Sequence, residues 1–507
     1  MADKAIAIIG GGLAGLAAGV YAQRNGYRTQ IFEHSSQPGG VAAWWRRGSY
    51  HIDGGIHFLM GHRPGGVLSD LYRQLGTAAP ETLIDMAEYG RFVDEASGKS
   101  VLLTADLAQC AAALKSLSRA DAGAVDARAV DDLIAGARAF QAAGAFDIGM
   151  GEPPELAGRL DTVRQFWSMR KVLRYFTGKY GRTAAEFAAD LHDPTLRYLV
   201  ENLFLPEAPL WFLFMVLGLL ASGDMGLLTT GCEGFVRPIE RRYRDLGGEI
   251  IYGATVEKIL VSGGKAVGVR LTNGEEHAAD AVISAADGHS TLFGMLDGRY
   301  GDDALRARYR DWKLMKPWVM ISFGVAREFP GEPHFTTYRL AEPFTVGTQR
   351  VESLGLRIFN YAPDFAPAGK TVIQPAFETE WDYWNDLRAA DRSQYEAEKE
   401  RVAGEVLRRL EAHYPGLSAQ VEMTDVATPY TTWRYTLNWQ GAYEGWLPTG
   451  SQMMIALPRT LPGLANFVMA GQWVIPGGGV PTCLLSGRDA VRILCKWDGK
   501  AFDPGPA

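Results

Sequence analysis

The sequence predicts an α/β protein whose parallel-sheet domain is assembled from separated stretches of one chain. Three observations carry this. An apolar run, Ala5 to Ile9, leads straight into Gly10-x-Gly12-x-x-Gly15. A helix-then-strands pattern with Gly-Gly and Asn-Gly turns follows from Phe235 to Ala285. A third apolar run, Phe467 to Ala470, enters another glycine-rich turn and a helix-like stretch near the end of the sequence. Alternation of strand and helix signals of this kind is the mark of a parallel sheet.

Length and composition bound the reading. A sequence of 507 residues suits two to four domains or one large composite enzyme. Its 47% hydrophobic and 21% charged content is that of a globular chain, and a net charge of −7 argues against nucleic acid as a partner. Cys110, Cys232, Cys483 and Cys495 form no CxxC pair and no metal-like spacing with histidine. Reduced thiols in a cytoplasmic protein without a metal site are therefore expected. The opening "MADKAIAIIGGG" lacks the pattern of a secretory signal. The longest apolar run, Ala208 to Ser222, falls short of the roughly 20 residues that span a bilayer. It reads as a buried or interfacial helix.

Each part of the first unit has a physical role. Gly10 allows a tight turn, Gly12 lets the backbone approach a pyrophosphate, and Gly15 and Gly19 permit close helix–strand packing. The Ala-rich helix opens at Leu13 and Ala14, runs to Arg24 and stops at Gly26. Its free N–H groups and positive dipole end suit phosphate. Thr29 to Phe32 forms the second strand and Glu33 closes it, 18 residues after Gly15. A carboxylate there accepts from ribose hydroxyls and repels a 2′-phosphate. The unit is Rossmann-like and disfavours NADP.

Beyond Glu33 the chain reads "HSSQPGG", then "VAAWWRRGSYHIDGGIHFLMG". An acid followed shortly by His34 and then Gly39-Gly40 resembles the extended fingerprint of FAD enzymes of the glutathione-reductase type. In that group an Arg often follows the second glycine and helps hold the diphosphate; here Val41 stands there, and Arg46 or Arg47 is left as the substitute. "HIDGGIHFLMG" resembles the D-x-G-x-H stretch of the retinol saturase and carotenoid isomerase branch of the phytoene desaturase family. The resemblance implies that Gly55, Ile56 and His57 run past the flavin toward substrate.

Residues 106–225 read as mostly helical. Residues 159–182 hold seven basic residues (Arg159, Arg164, Arg170, Lys171, Arg174, Lys179 and Arg182) against Asp161 alone. Phe166, Met169, Leu173 and Phe176 share one face of a helix there, with Arg164, Arg170, Lys171 and Arg174 opposite. Two readings stand: a peripheral membrane contact, or a core-packed helix with a solvated basic face. From Phe235 to Leu246 a helix is expected, then hairpins at Gly263-Gly264 and Asn273-Gly274, then a buried strand, Ala281 to Ala285. In the resembling family, backbone near the residue matching Val256 meets the adenine. Residues 300–455 are dense in Trp, Tyr and Phe, which suits an apolar cleft.

The C-terminal turn "FVMAGQWVIPGGGVPT" is not a second dinucleotide unit. Only "ILCKWDGKAFDPGPA" follows Arg492, too little for a further strand, and Thr482 holds the place of the third glycine. Gly471, Pro476, Gly477, Gly479 and Pro481 match instead the C-terminal FAD segment of the phytoene desaturase family. The resemblance implies that Gly471, Gln472, Val480 and Pro481, with Ala285 from the middle segment, complete the flavin site. It also implies a helix N-terminus at the flavin pyrimidine, stabilising its reduced form.

The expected architecture is thus a discontinuous FAD domain of the glutathione-reductase type (1–105, 225–300 and 460–507). A helical, membrane-facing subdomain (106–224) and an α+β substrate domain (301–459) complete it. The resemblance implies FAD-dependent hydride transfer at C–C or C=C bonds of a lipophilic isoprenoid or polyene, by desaturation, saturation or isomerisation. His57 leads the catalytic candidates by its motif. Tyr443 and Glu444 in "GAYEGW" follow, Glu444 as a general acid or base if buried. An amine oxidase-like enzyme using Lys313 or Lys316, and a prenyl-binding chaperone of the same fold, are the alternatives; the intact glycines and Glu33 weigh against the latter.

Overall fold

The computed structural model describes residues 4–118, 123–144, 152–158, 167, 169–453, 455 and 457–506. At its centre is a five-stranded parallel sheet in the order Glu249–Tyr252, Arg28–Glu33, Ala5–Ile9, Ala281–Ser284, Phe467–Met469. Three distant parts of the chain meet here: Ile9 lies opposite both Phe32 and Ser284, and Ser284 opposite Met469. The strands Ala5–Ile9, Ala281–Ser284 and Phe467–Met469 are short and almost wholly apolar because both of their faces are covered.

Helices Leu13–Arg24, Gly231–Asp245 and Gly479–Trp497 pack together with this sheet around Leu16, Val20, Phe235, Ile239, Val491 and Leu494. Small residues set how close they come. A Cβ on Gly19 would meet the Tyr243 ring at 2.7 Å, and one on Gly487 would stand 2.3 Å from the Ala14 carbonyl. The other side carries the antiparallel strands Val256–Ser262, Lys265–Leu271 and Glu276–Ala278, joined at the two expected Gly turns.

A second, seven-stranded sheet runs in the order Val421–Ala427, Trp318–Val325, Thr371–Glu378, Gln349–Ile358, Phe335–Val346, Glu88–Asp94, Lys99–Thr104. Helices Trp381–Ala390 and Arg392–His413 cover one face through Trp384, Tyr395, Val402, Val406 and Leu410. The other face looks toward the parallel sheet. The boundary expected at residue 105 therefore needs correction. Strands 88–94 and 99–104 extend the seven-stranded sheet, the first pairing in parallel with Phe335–Val346. Their alternating burial gives them one face for that sheet's core.

The helical part packs Leu210–Ala221 against Gly123–Ala143. Gly136 and Gly218 make this crossing tight; a Cβ on Gly136 would meet the Phe214 ring at 2.6 Å. The long apolar run is thus a core helix, and among the described residues no helix is long and apolar enough to cross a membrane. The basic helix expected over 159–182 lies in part outside the described residues. From Leu173 it is not one α-helix but two 3₁₀ turns, Leu173–Phe176 and Gly178–Tyr180. Thr177 is extended and Gly178 takes φ +60°, which ends the first turn. Lys179 pairs with Asp132 at 2.7 Å and Arg182 with Asp190 at 2.6 Å, while Arg170, Lys171 and Arg174 are exposed.

Candidate active site

The glycine cradle sits at the carboxyl ends of the parallel strands. Gly10 turns with φ +94°, and its N–H donates to the Phe32 carbonyl at 2.9 Å. Gly15 serves the turn itself, since a Cβ there would stand 1.9 Å from the Gly10 carbonyl. Gly12 is different. Its φ is −70°, and its Cβ would stand 3.8 Å from the nearest protein atoms, Gly39 and Gly40. Neither backbone strain nor a protein clash demands glycine there. Its bare Cα faces the cavity, where a closely held group such as a pyrophosphate would demand it.

Glu33 is fixed at the end of its strand. Its buried carboxylate accepts from the Gly11 N–H at 2.5 Å and the Ser35 N–H at 2.7 Å. Burial pushes its pKa up, and these two N–H groups oppose the rise. The Gly39 N–H donates to the Gly11 carbonyl at 2.9 Å, which brings Gly39, Gly40 and Val41 over the first turn. Neither substitute arginine takes the place opened by Val41. Arg46 is exposed and off the cavity wall, and Arg47 is paired with Asp425 at 2.6 Å. The first-turn N–H groups at Leu13 and Ala14 are left to meet a diphosphate.

The C-terminal segment closes the cradle. Ala470 donates to the Ser284 carbonyl and Gly471 to Ser486 Oγ, both at 2.8 Å. Gly471, Gly477, Gly478 and Gly479 all have φ between +53° and +100°. This turn starts the final helix at the cavity wall, with Val480 and Pro481 in its first turn. Gln472 is buried on that wall, and its Nε2 has no partner among the described residues. A buried amide donor without an acceptor costs on the order of 1–3 kcal/mol, so it fits a site for a ligand oxygen.

The cradle opens into a cavity of about 2060 Å³, well above the roughly 300–1,000 Å³ of an ordinary ligand pocket. Its far half is apolar. Phe58, Tyr89 and Phe92 meet Phe204, Trp211, Phe212 and Met215 of the helical part. The seven-stranded sheet forms the floor. Thr337, Met320 and Ala427 line the cavity from that sheet, and between Thr337 and Met320 the Phe335 ring lies over Gly355.

Three predicted catalytic residues line this cavity. His57 and Tyr443 flank Trp318, with ring centroids 5.4 and 5.1 Å from it. Glu444 lies beside the start of the final helix: its Oε1 stands 3.9 Å from where a Gly479 Cβ would be. Burial, then the charges of Arg357 and His334, hold the His57 imidazole well below its usual pKa, so it is neutral. Burial and the neighbouring Glu444 push the Tyr443 phenol up. Burial alone pushes the Glu444 carboxyl to about 7, and it has no hydrogen bond or ion pair among the described residues.

Of the predicted cofactor residues, Gly10, Gly12, Leu13, Ala14, Glu33, His34, Gly39, Gly40, Val41, Gly55, Ile56, Val256, Ala285, Gly471, Gln472, Gly479, Val480 and Pro481 line the cavity, and Gly15 does not. His34 is held by Thr255 Oγ1 at 2.7 Å. Lys313 and Lys316 are both exposed and absent from the wall, which removes the lysines proposed for an amine oxidase. Sequence reading missed Arg357 and His334. Nothing in a strand's alternation says which of its faces meets a site.

A family model for flavin containing amine oxidoreductases matches residues 13–495. A chloroplastic prolycopene isomerase of Arabidopsis thaliana is 26% identical over 61% of this chain, and the chain spans about half (53%) of that relative's length. A zeta-carotene-forming phytoene desaturase of Myxococcus xanthus is 24% identical over 97% of this chain and 94% of its own. The solved structure of cyclohexylamine oxidase from Brevibacterium oxydans shares the fold, with TM-score 0.59 at 15% identity over 98% of this chain and 100% of the other. The match runs from the first helix of the glycine cradle to the last helix that closes it, so the chain belongs to the flavin-containing amine oxidoreductase family, with FAD as its cofactor.

Proposed function

We propose that this FAD-dependent oxidoreductase acts on C–C or C=C bonds of a lipophilic polyene or isoprenoid. The observation that carries the reading is the apolar half of the cavity, continuous with the cradle and large enough for a long substrate beside a dinucleotide. The names of the carotenoid-desaturating and isomerising relatives point the same way. Glu33 would hold the ribose, Gly12, Gly39 and Gly40 the diphosphate, and Gly471, Gln472, Val480 and Pro481 the ring side. When bound, FAD supplies hydride transfer at N5.

Removing or restoring a double bond moves a proton as well as a hydride. Among the three polar candidates, Glu444 suits the proton half. Its proton affinity is matched to neutral pH. His57 resists protonation and Tyr443 resists ionisation, so these two orient substrate as neutral groups. The exposed Trp167, Arg170 and Lys171 lie next to Met169, which lines the cavity, and suit entry of substrate from an anionic membrane surface. Anaerobic photoreduction of the purified holoprotein, followed by addition of polyenes, tests the reading. Re-oxidation of the flavin by a polyene is expected; a flavin that exchanges electrons with no polyene or alkene sinks it.

A further inference from the structure

Arg357 stands in the middle of the seven-stranded sheet, buried, with its side chain on the cavity wall beside His57. Its Nη2 donates to the Ile56 carbonyl at 3.1 Å and to the Tyr361 hydroxyl at 3.3 Å. Its Nη1 reaches Gln374 Oε1 only at 3.5 Å, and the guanidinium lies 4.5 Å from the centre of the Phe359 ring. All of these partners are neutral. The carboxylate that attracts it, Asp53, is beyond ion-pair distance and is already engaged by the Cys232 N–H and thiol and the Gly55 N–H.

A guanidinium cannot shed its proton, so burial leaves its charge in place. Buried cations are ordinarily paired, because the desolvation cost is otherwise unrelieved. Here Tyr361 and Asp53 offset the burial and raise the guanidinium's pKa, but among the described residues no carboxylate pairs with it directly, and the group borders a substrate-sized space. Nη2 braces the Ile56 carbonyl, while Nη1 is weakly held and Nε has no partner among the described residues. With both Nη2 hydrogens given to Ile56 and Tyr361, Nη1 is the group left to give a carboxylate a charge-assisted hydrogen bond.

Resting on the polyene reading above, we propose that Arg357 receives a carboxylate on the substrate, so that the preferred substrate class is a polyene or isoprenoid acid rather than a pure hydrocarbon. Tyr361 orients the guanidinium, and the apolar wall takes the chain.

The test uses the holoprotein and two probes, all-trans-retinoic acid and its methyl ester, read by quenching of tryptophan fluorescence. The acid should bind at least about tenfold more tightly than the ester. Arg357→Gln should abolish that preference, and Arg357→Lys should retain part of it. A purely structural arginine would weaken acid and ester alike. If the wild type binds both equally, or the preference survives in Arg357→Gln, the carboxylate assignment is overturned while the polyene reading stands. If neither probe binds, the polyene reading falls and the assignment with it. Should Arg357→Gln fail to retain flavin, the wild-type comparison together with Arg357→Lys decides.

Discussion

At the residue scale, two glycines three positions apart answer to different demands. Gly12→Ala keeps an allowed backbone and meets no protein atom, so the apoprotein should unfold as the wild type does. Its FAD affinity should nonetheless fall by about tenfold or more, on the order of 1.4 kcal/mol, as read by flavin fluorescence on titration. Gly15→Ala would drive a methyl group into the Gly10 carbonyl and should cost the fold itself. Glu444 carries two linked expectations. Glu444→Gln should lower kcat by roughly 10²–10⁴-fold with flavin content retained, and should remove an ionisation near pH 7 from the rate profile. The folded carboxyl titrates at about 7 against an ordinary value of 4.5. The folded state therefore holds the extra proton between those values. Its contribution to stability is complete below about pH 4.5 and is lost as pH rises through about 7. The wild-type melting temperature, referred to that of Glu444→Gln, should decline across this window and level off above it. A flat difference would show that the carboxyl is solvated.

At the element scale, the edge strand Val421–Ala427 leaves room in the cavity beside Met320 through the small side chain of Ala427. Ala427→Phe places a ring next to Met320 on the cavity wall. It should raise KM for a polyene by about tenfold without loss of FAD, because the cradle is built from other strands. An unchanged KM would mean that the substrate avoids this floor. The same sheet shows what can be read from sequence. The apolar run Ala5–Ile9, the fingerprint and the closing turn were legible, because local chemistry fixes them: a tight turn, an approach to phosphate, a helix start. The pairing of Glu88–Asp94 with Phe335–Val346 was not, since no local pattern encodes a partner so distant in the chain. Arg357 stayed hidden for the same reason. The apolar spacing of Leu173 and Phe176 suggested an α-helix, yet a separation of three also suits a 3₁₀ turn, which Thr177 and Gly178 then end.

At the scale of the whole molecule, the two sheets flank the cavity and the helical part lines its far end. If that end opens on a membrane, the holoprotein should float with vesicles of anionic lipid and stay behind with neutral ones. The double change Arg170→Glu with Lys171→Glu, or added salt, should release it. Equal flotation with both lipids would remove the electrostatic part of the reading. FAD should also raise the melting temperature in a concentration-dependent way, by about 2.7 kcal/mol of stability at a hundred times its Kd. The central sheet takes its strands from the beginning, the middle and the end of the chain: Ala5–Ile9, Ala281–Ser284 and Phe467–Met469. During synthesis the first strand and its helix leave the ribosome long before their last neighbour is made. The nascent protein must keep an unpaired sheet edge and half a cofactor site until Gly479–Trp497 emerges. A stalled or truncated translation product can therefore be recognised by its lack of flavin, and chaperone demand should peak over the stretch between residues 285 and 467.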